Sequence, residues 1–154
     1  MRSRTRPSSH GFTLLELLAT LAILGIVAAG GALAWPRIEA ALQLEAGAHQ
    51  VAADLHDTRV LAIASATRAR LAFTRGATSY RLEHADDDGA YRLTARRVLP
   101  RGLSIDDVNS GGDLVFSARG NAENGTVVLA DRRGMRASLR LNQRGRVTID
   151  RGRW

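Results

Sequence analysis

Hydrophobic residues are distributed very unevenly along this chain. Residues 12–35 are apolar except for Thr13, Glu16 and Thr20. As a helix this run would be about 36 Å long, enough to cross a bilayer core of about 30 Å. The preceding residues 1–11 contain three arginines and no acidic residue. This asymmetry predicts one membrane span with a cytoplasmic N-terminus and export of everything that follows.

Beyond Pro36 the pattern changes to that of an amphipathic helix, which we place at residues 36–67. Apolar residues recur at helical spacing and form one stripe, made of Leu44, Ala48, Val51, Leu55 and Ala62. Polar residues occupy the other faces: Arg37, Glu39, Gln43, Glu45, Gln50, Asp54 and Asp57. The stripe indicates a helix that packs on its own domain. The polar faces nearer the membrane favour contacts with partner helices.

Residues 68–154 alternate with a period of two between turn residues, which predicts an antiparallel β domain. Strands are indicated at Leu71–Phe73, Tyr80–Leu82, Tyr91–Ala95, Leu114–Phe116 and Val127–Leu129. The last predicted element is a hairpin whose three-residue loop, Gln143–Gly145, places Gly145 in a left-handed conformation. The predicted register sets Leu141 opposite Val147 and Leu139 opposite Ile149.

Together these elements predict an α+β fold. A long N-terminal transmembrane helix continues into the amphipathic helix, which packs on an antiparallel, β-sandwich-like domain. The length of 154 residues leaves room for one such domain and its anchoring segment.

Composition limits the chemistry that the chain can perform. It contains no cysteine, which excludes disulfides, thiol nucleophiles and thiolate metal sites. The four histidines, His10, His49, His56 and His84, lack metal-type spacing with carboxylates, and no nucleophile-elbow or phosphate-loop motif occurs. The acidic turn Asp86–Gly89 lacks the spacing of a calcium loop. We therefore predict a non-enzymatic chain without a metal or other cofactor.

The formal net charge of +7 is concentrated near the C-terminus. Residues 119–154 hold nine arginines and three acidic residues, which is the electrostatic footprint of a nucleic-acid-binding surface. The candidate DNA-binding residues are Arg136, Arg140, Arg144 and Arg146. We favour a solvated arginine face instead, because this segment has no aromatic residue for base stacking before Trp154.

The acid at Glu16 is the most unusual feature of the apolar run. A charge at this depth costs about 2.5–3.5 kcal/mol and indicates a functional partner. The run contains no arginine or histidine, so the partner must come from elsewhere. A cut between Gly11 and Phe12 would create one, because the new α-amine of one helix could meet the carboxylate of a staggered neighbour. Glu16 would then set the register between subunits.

A secretory signal peptide cut near Ala32–Ala34 is the alternative interpretation of the same segment. Two features count against it. The apolar run exceeds the usual 7–15 residues of such peptides, and it carries a carboxyl group near its start.

The stretch Gly11–Leu18, with sequence GFTLLELL, resembles the class III signal of type IV pilins and of type II secretion pseudopilins. The resemblance implies that a prepilin peptidase cuts after Gly11 and methylates Phe12, so that residues 1–11 are a leader peptide. It also implies that Glu16, the fifth residue after the cut, acts in assembly.

A second set of residues resembles the GspH/FimT family of minor pseudopilins and pilins. These residues are Leu55, Arg59, Ala62 and Ile63, the step Phe116-x3-Gly120, and the stretches Gly125–Val127 and Gly145–Val147. The resemblance implies a minor pseudopilin of the type II secretion system, at or near the tip of a periplasmic pseudopilus. It would be a single-pass protein of the inner membrane with a periplasmic C-terminal domain, and its partners would be other pseudopilins and prepilin peptidase.

The same family allows one alternative function. Some FimT-type minor pilins of type IV pili act in DNA uptake, and the C-terminal arginines would then be the residues that bind DNA.

Overall fold

The computed structural model describes residues 13–109 and 111–152, without the side chains of Leu33 and Ala34. These residues fall into two compact units that divide between Ile38 and Glu39. Within the described residues one helix precedes eight strands: α1 (Leu14–Ala64), β1 (Ala69–Ala72), β2 (Ser79–Ala85), β3 (Tyr91–Val98), β4 (Leu103–Val108), β5 (Asp113–Phe116), β6 (Gly125–Asp131), β7 (Arg136–Leu141) and β8 (Val147–Gly152). The predicted α+β class is confirmed.

Helix α1 begins with a side-chain cap. The Thr13 hydroxyl accepts a hydrogen bond from the backbone N–H of Glu16 at 3.2 Å, which satisfies one of the free donors of the first turn. Pro36 lies inside α1, although its ring removes one intrahelical donor. The predicted continuity of the apolar and amphipathic helical segments through Pro36 is therefore confirmed.

The other end of α1 comes three residues earlier than predicted, at Ala64 instead of Thr67. The reason is local. Ala66 has a positive φ of 53°, which is a left-handed conformation that α-helical residues do not adopt. The Ser65 hydroxyl donates to the Leu61 carbonyl at 2.8 Å and satisfies an acceptor of the last turn.

The strands form two four-stranded antiparallel sheets. The first sheet has the order β3-β2-β1-β5 and the second has the order β4-β6-β7-β8. The chain moves from the first sheet to the second at β4, returns at β5 to pair with β1, and crosses again at β6. The predicted C-terminal hairpin is confirmed: Leu141 pairs with Val147, Leu139 pairs with Ile149, and Gly145 has a φ of 73°.

The core lies between α1 and the inner faces of both sheets. All five residues of the predicted helix stripe are buried, with no more than 3 % of their surface exposed. The approach of α1 to β4 is close at Gly47, where an added Cβ would lie 2.4 Å from Cδ1 of Leu103. A glycine inside a helix is unfavourable by itself, so this contact explains its presence.

Two features of the core were not predicted. Strand β4 was not recognised, yet Ile105 is fully buried and pairs with Leu129 of β6. Asp54 was placed on a polar face of the helix, and this was wrong, because only 6 % of Asp54 is exposed. Its carboxylate is buried since Tyr80 and Arg97, from β2 and β3, bring hydrogen-bond donors to it.

Candidate functional site

The N-terminal part of α1 presents a large apolar surface without partners inside the chain. In the described residues α1 is the one helix long and apolar enough to cross a membrane, and none of its most apolar stretch is buried. The large side chains from Leu14 to Val27 are all more than half exposed. Exposed apolar surface of this extent marks a contact with lipid or with other protein.

Glu16 lies in the first turn of this surface. Its position three residues after the Thr13 cap is that of a capping box, and a carboxylate there interacts favourably with the positive end of the helix dipole. No ion pair to Glu16 is formed by any of the residues that the structure describes. The predicted processing residues, Gly11 and Phe12, lie outside the described residues.

The four candidate DNA-binding arginines do not form one uniform cluster. Arg136 contacts Asp106 at 3.0 Å, and Arg140 is paired with Asp150 across the β7–β8 hairpin. Arg144 and Arg146 lie exposed on the hairpin loop, and their backbone N–H groups donate to the Asn142 side chain. Within the described chain these two make no ion pair. Among the four candidate residues, those without an ion pair therefore lie on the loop.

Arg59 joins the helix to the two loops at one end of the β domain. Cβ atoms added at Gly120 and at Gly145 would each lie 3.1 Å from Nε of Arg59, and both glycines have positive φ. Ile63 packs against Gly120 from the same helix face, since its Cδ1 would lie 2.7 Å from that added Cβ. The Ala122 N–H donates to the Gln143 carbonyl at 3.0 Å, which ties the two loops together.

The sequence associated these residues with a family but did not reveal their proximity. Arg59 is separated from Gly120 and Gly145 by most of the β domain, so no local pattern shows that they meet. The one sequence signal for this contact was the pair Gly120 and Gly145, since each glycine is followed within a few residues by a strand or a β-bridge. Nε of Arg59 is buried and has no hydrogen-bond partner within the described structure.

A buried polar network links α1 to the edge of the first sheet. The Tyr80 hydroxyl donates to Oδ2 of Asp54 at 2.5 Å and accepts from Nε2 of Gln50 at 3.1 Å. Nε of Arg97 lies 3.3 Å from Oδ1 of Asp54. Burial, and then the hydrogen bond to the Asp54 carboxylate, raise the pKa of Tyr80 well above its ordinary value. The Tyr80 hydroxyl and both carboxylate oxygens of Asp54 have partners among the described residues, so the network is structural.

A second network covers the outer face of the first sheet. Arg70 contacts Glu83 at 2.7 Å and Asp113 at 2.5 Å, and its guanidinium lies 3.8 Å from the centre of the Tyr91 ring. Arg81 contacts the same Glu83 at 2.8 Å. The two arginines and the two carboxylates of this network neutralise one another.

The acidic turn that was considered as a metal site has a structural role. Asp86 accepts hydrogen bonds from the Ala90 N–H and from Nε of Arg92. The hydrogen bond from Arg92 is the main cause of a lowered pKa of Asp86. Among the described residues no group of three or more histidines and carboxylates is arranged to hold a metal ion.

The chain is similar to known proteins in one sequence motif and in its fold. Residues 6–32 match the family model of the prokaryotic N-terminal methylation motif. The structure resembles EpsH, a minor pseudopilin of the type 2 secretion system of Vibrio cholerae, with a TM-score of 0.61 and 13 % identity over 71 % of this chain and 97 % of EpsH. A second crystal structure of EpsH gives a TM-score of 0.58 at 11 % identity, over 70 % and 95 % of the two chains.

The type IV minor pilin FimU of Pseudomonas aeruginosa has the same fold, with a TM-score of 0.56 and 17 % identity over 70 % of this chain and 87 % of FimU. No curated protein matches the chain in sequence. The chain has a pilin-like fold. Its apolar N-terminal helix and its methylation motif indicate membrane anchoring.

The matched motif spans the predicted processing residues of this pilin-like chain, Gly11 and Phe12, together with Glu16. The fold shared with EpsH and FimU consists of a long N-terminal helix followed by antiparallel sheets. The proteins with this fold named here are a minor pseudopilin and a type IV minor pilin.

Proposed function

We propose that the chain is a minor pseudopilin of a type II secretion system, similar to GspH. The observation that carries the proposal is the combination of a prepilin methylation motif at residues 6–32 with a fold that covers 97 % of EpsH. Its role is to help initiate or cap the short periplasmic pseudopilus that moves folded proteins across the outer membrane. The chain performs no chemistry itself.

The proposal includes a defined maturation. Prepilin peptidase cuts after Gly11 and methylates Phe12, which removes the basic leader, residues 1–11. The arginines of the leader keep the N-terminus in the cytoplasm. Residues 12–35 then anchor the protein in the inner membrane, and the β domain lies in the periplasm.

Assembly depends on Glu16 in this proposal. No described cation neutralises Glu16, and an unpaired carboxylate at membrane depth is unfavourable. The α-amine of a processed neighbour supplies the missing charge. Glu16→Ala should leave insertion and processing intact but weaken crosslinking between membrane helices. Glu16→Gln serves as the matched control, because it keeps the side-chain length and loses only the charge; it should behave like Glu16→Ala.

A type IV pilus minor pilin of the FimT kind is the second candidate. The likeness to FimU favours it, and the exposed Arg144 and Arg146 provide cations for DNA phosphates. The pairing of Arg136 and Arg140 with carboxylates weakens it, because a cation already neutralised contributes less to counterion release. We therefore rank the secretion role first.

The two roles are separated by deletion of the gene in its own host, followed by complementation with the full chain. Secretion of folded exoproteins, pilus-dependent motility and DNA uptake are measured in parallel. Loss of secretion alone, restored by the wild-type chain, is the expected result. Intact secretion with loss of motility or DNA uptake would overturn the ranking and favour the pilus subunit.

A further inference from the structure

A polar recess opens at one end of the second sheet, where all four of its strands contribute. It has a volume of about 370 Å³ and lies between the end of β4, the start of β6, the end of β7 and the start of β8. This volume is in the range of sites that bind small ligands. We call it the amide recess, and its polar lining consists of Asn109, Asn124, Thr126, Arg140, Asn142 and Thr148.

Two of the asparagines are held in one orientation by the backbone. Oδ1 of Asn109 accepts a hydrogen bond from the Thr126 N–H at 2.7 Å. Oδ1 of Asn142 accepts from the N–H groups of Arg144 and Arg146 at 3.1 and 2.9 Å. Because a backbone N–H can only donate, the amide atom that faces it is the oxygen in both residues. Their NH2 groups are therefore the ends left over, and neither has a hydrogen-bond partner among the described residues.

The charge around the recess is positive. Arg140 lines it and is paired with Asp150, and among the described residues that line the recess none is acidic. Arg144 and Arg146 follow Asn142 on the hairpin loop, where they lie exposed and form no ion pair within the described chain. The recess thus offers amide donors beside a positive loop. A cation does not match this lining, whereas an anion that accepts hydrogen bonds does.

We propose that the amide recess binds a carboxylate group of an acidic segment of another protein. A carboxylate has two oxygens with about four acceptor positions, so it can accept from several donors of the recess at once. Amides that the backbone already orients lose little conformational entropy on binding.

A DNA phosphate fits the recess less well. The two oriented donors are neutral and Arg140 is already paired, so a phosphate bound there would release few counterions. The site would be present in a secretion subunit and in a pilus subunit alike, so the inference goes beyond the proposed function and does not depend on it.

The test is an NMR titration of the nitrogen-15-labelled full chain in detergent micelles, read at the side-chain NH2 signals of its four asparagines. Acetyl-Gly-Glu-Gly-amide presents a side-chain carboxylate, and acetyl-Gly-Gly-Gly with a free C-terminus presents the carboxylate of a chain end. Acetyl-Gly-Gln-Gly-amide is the neutral control. We expect both acidic peptides to shift the signals of Asn109 and Asn142 with a Kd of about 1–10 mM, as for a small fragment. The neutral peptide should shift neither signal.

Substitutions of asparagine by aspartate remove the donors without removing the backbone contacts. Asn109→Asp and Asn142→Asp keep the oxygen that accepts from the backbone and replace the NH2 group with a second oxygen. Each should raise the Kd at least about tenfold, because a donor to the carboxylate is lost and a like charge is added. Asn121→Asp adds the same charge outside the recess and should change the Kd by no more than about twofold. The backbone N–H signals of Thr126 and Arg146 report whether the local fold is kept.

The outcomes are distinct. No saturable shift with either acidic peptide, or equal shifts with the neutral peptide, would overturn carboxylate binding at the recess. An unchanged Kd in both aspartate variants would overturn it as well, since the carboxylate would then bind elsewhere. Binding of only one acidic peptide would support the site and identify its ligand as a side chain or as a chain end.

Two further titrations, with inorganic phosphate and with a DNA duplex, compare the anions. Tighter binding of either one, lost in the same aspartate variants, would overturn the choice of a protein carboxylate and assign the recess to phosphate. All of these overturning results would leave the proposed secretion role standing, because gene deletion tests that role and peptide binding does not.

Discussion

The internal architecture can be tested by removing one hydroxyl group at a time from the two tyrosines of the chain, Tyr80 and Tyr91. Tyr80 is 1 % exposed, and its hydroxyl donates to the buried Asp54 carboxylate at 2.5 Å. The Tyr91 ring lies under the Arg70 guanidinium, and no hydrogen bond from its hydroxyl is found within the described residues. Tyr80→Phe and Tyr91→Phe thus delete the same atom from two different environments.

The expected magnitudes differ clearly. A hydrogen bond to a charged group contributes about 1.5–3 kcal/mol. Arg97 remains 3.3 Å from Asp54 in the variant, so the carboxylate keeps one donor, and we expect Tyr80→Phe to cost about 2 kcal/mol. Tyr91→Phe keeps the ring beneath Arg70 and should change stability by no more than about 0.5 kcal/mol.

Thermal unfolding of the full chain in detergent, followed by the circular dichroism of its β domain, measures the difference. A loss of about 2 kcal/mol should lower the Tm by roughly 8 °C for a unit of this size. Equal Tm values for the two variants would refute the assignment of Asp54 and Tyr80 as a stabilising pair.

The same pair predicts a dependence of stability on pH. The pKa of Tyr80 is raised in the folded state, so the unfolded chain loses this proton first as the pH rises past about 10. The contribution of Tyr80 is complete below that pH and falls by about 1.4 kcal/mol per pH unit above it. Tyr80→Phe should lack this loss. An unchanged alkaline slope in that variant would assign the effect to another group.

Three further outcomes follow from the structure and from the proposed function. Mass spectrometry of the mature chain should find Phe12 at the N-terminus with one added methyl group, and Gly11→Val should leave an uncut membrane precursor; a mature chain that begins near Trp35 would establish the signal-peptide alternative. Ala66→Gly should stabilise the chain by about 0.5–1 kcal/mol in thermal unfolding, because Ala66 has a positive φ and glycine removes the left-handed penalty; a lower Tm would contradict this. We expect the wild-type chain to bind duplex DNA weakly at most and in a salt-sensitive manner, and replacing Arg144 and Arg146 with serine should abolish that binding. Sub-micromolar binding by the wild-type chain at about 150 mM salt would favour the DNA-uptake role.

The parts of the fold that were predictable are those fixed by short-range geometry. The helix stripe from Leu44 to Ala62 was correct because helical spacing alone determines which residues share a face. The register of the last hairpin was correct because a three-residue loop with Gly145 in a left-handed conformation allows one pairing. The methylation motif was recognisable because its residues are adjacent in sequence.

The parts that were missed depend on residues far apart in the chain. The spacing of Asp54 along α1 matches that of the exposed polar residues. Its burial depends on Arg97, which is distant in sequence and is brought to it by the fold. Strand β4 contains the alternating apolar residues Leu103 and Ile105, but two aspartates follow them. The segment as a whole therefore resembles a polar loop. The meeting of Arg59 with Gly120 likewise requires the complete β domain. Local propensity was overruled in these places by tertiary partners.

The charge of the C-terminal segment likewise depends on residues that are distant in sequence. Residues 119–154 contain six more arginines than acidic residues, but carboxylates from earlier in the chain neutralise part of that excess. Arg136 is paired with Asp106 of β4, and Arg151 is paired with Glu45 of α1 at 2.9 Å. The affinity for DNA increases with the number of phosphates that a protein neutralises. Five exposed arginines of this segment form no ion pair with the described residues: Arg119, Arg132, Arg133, Arg144 and Arg146. The charge counted along the sequence therefore overstates the charge that is available to DNA, because carboxylates neutralise part of it.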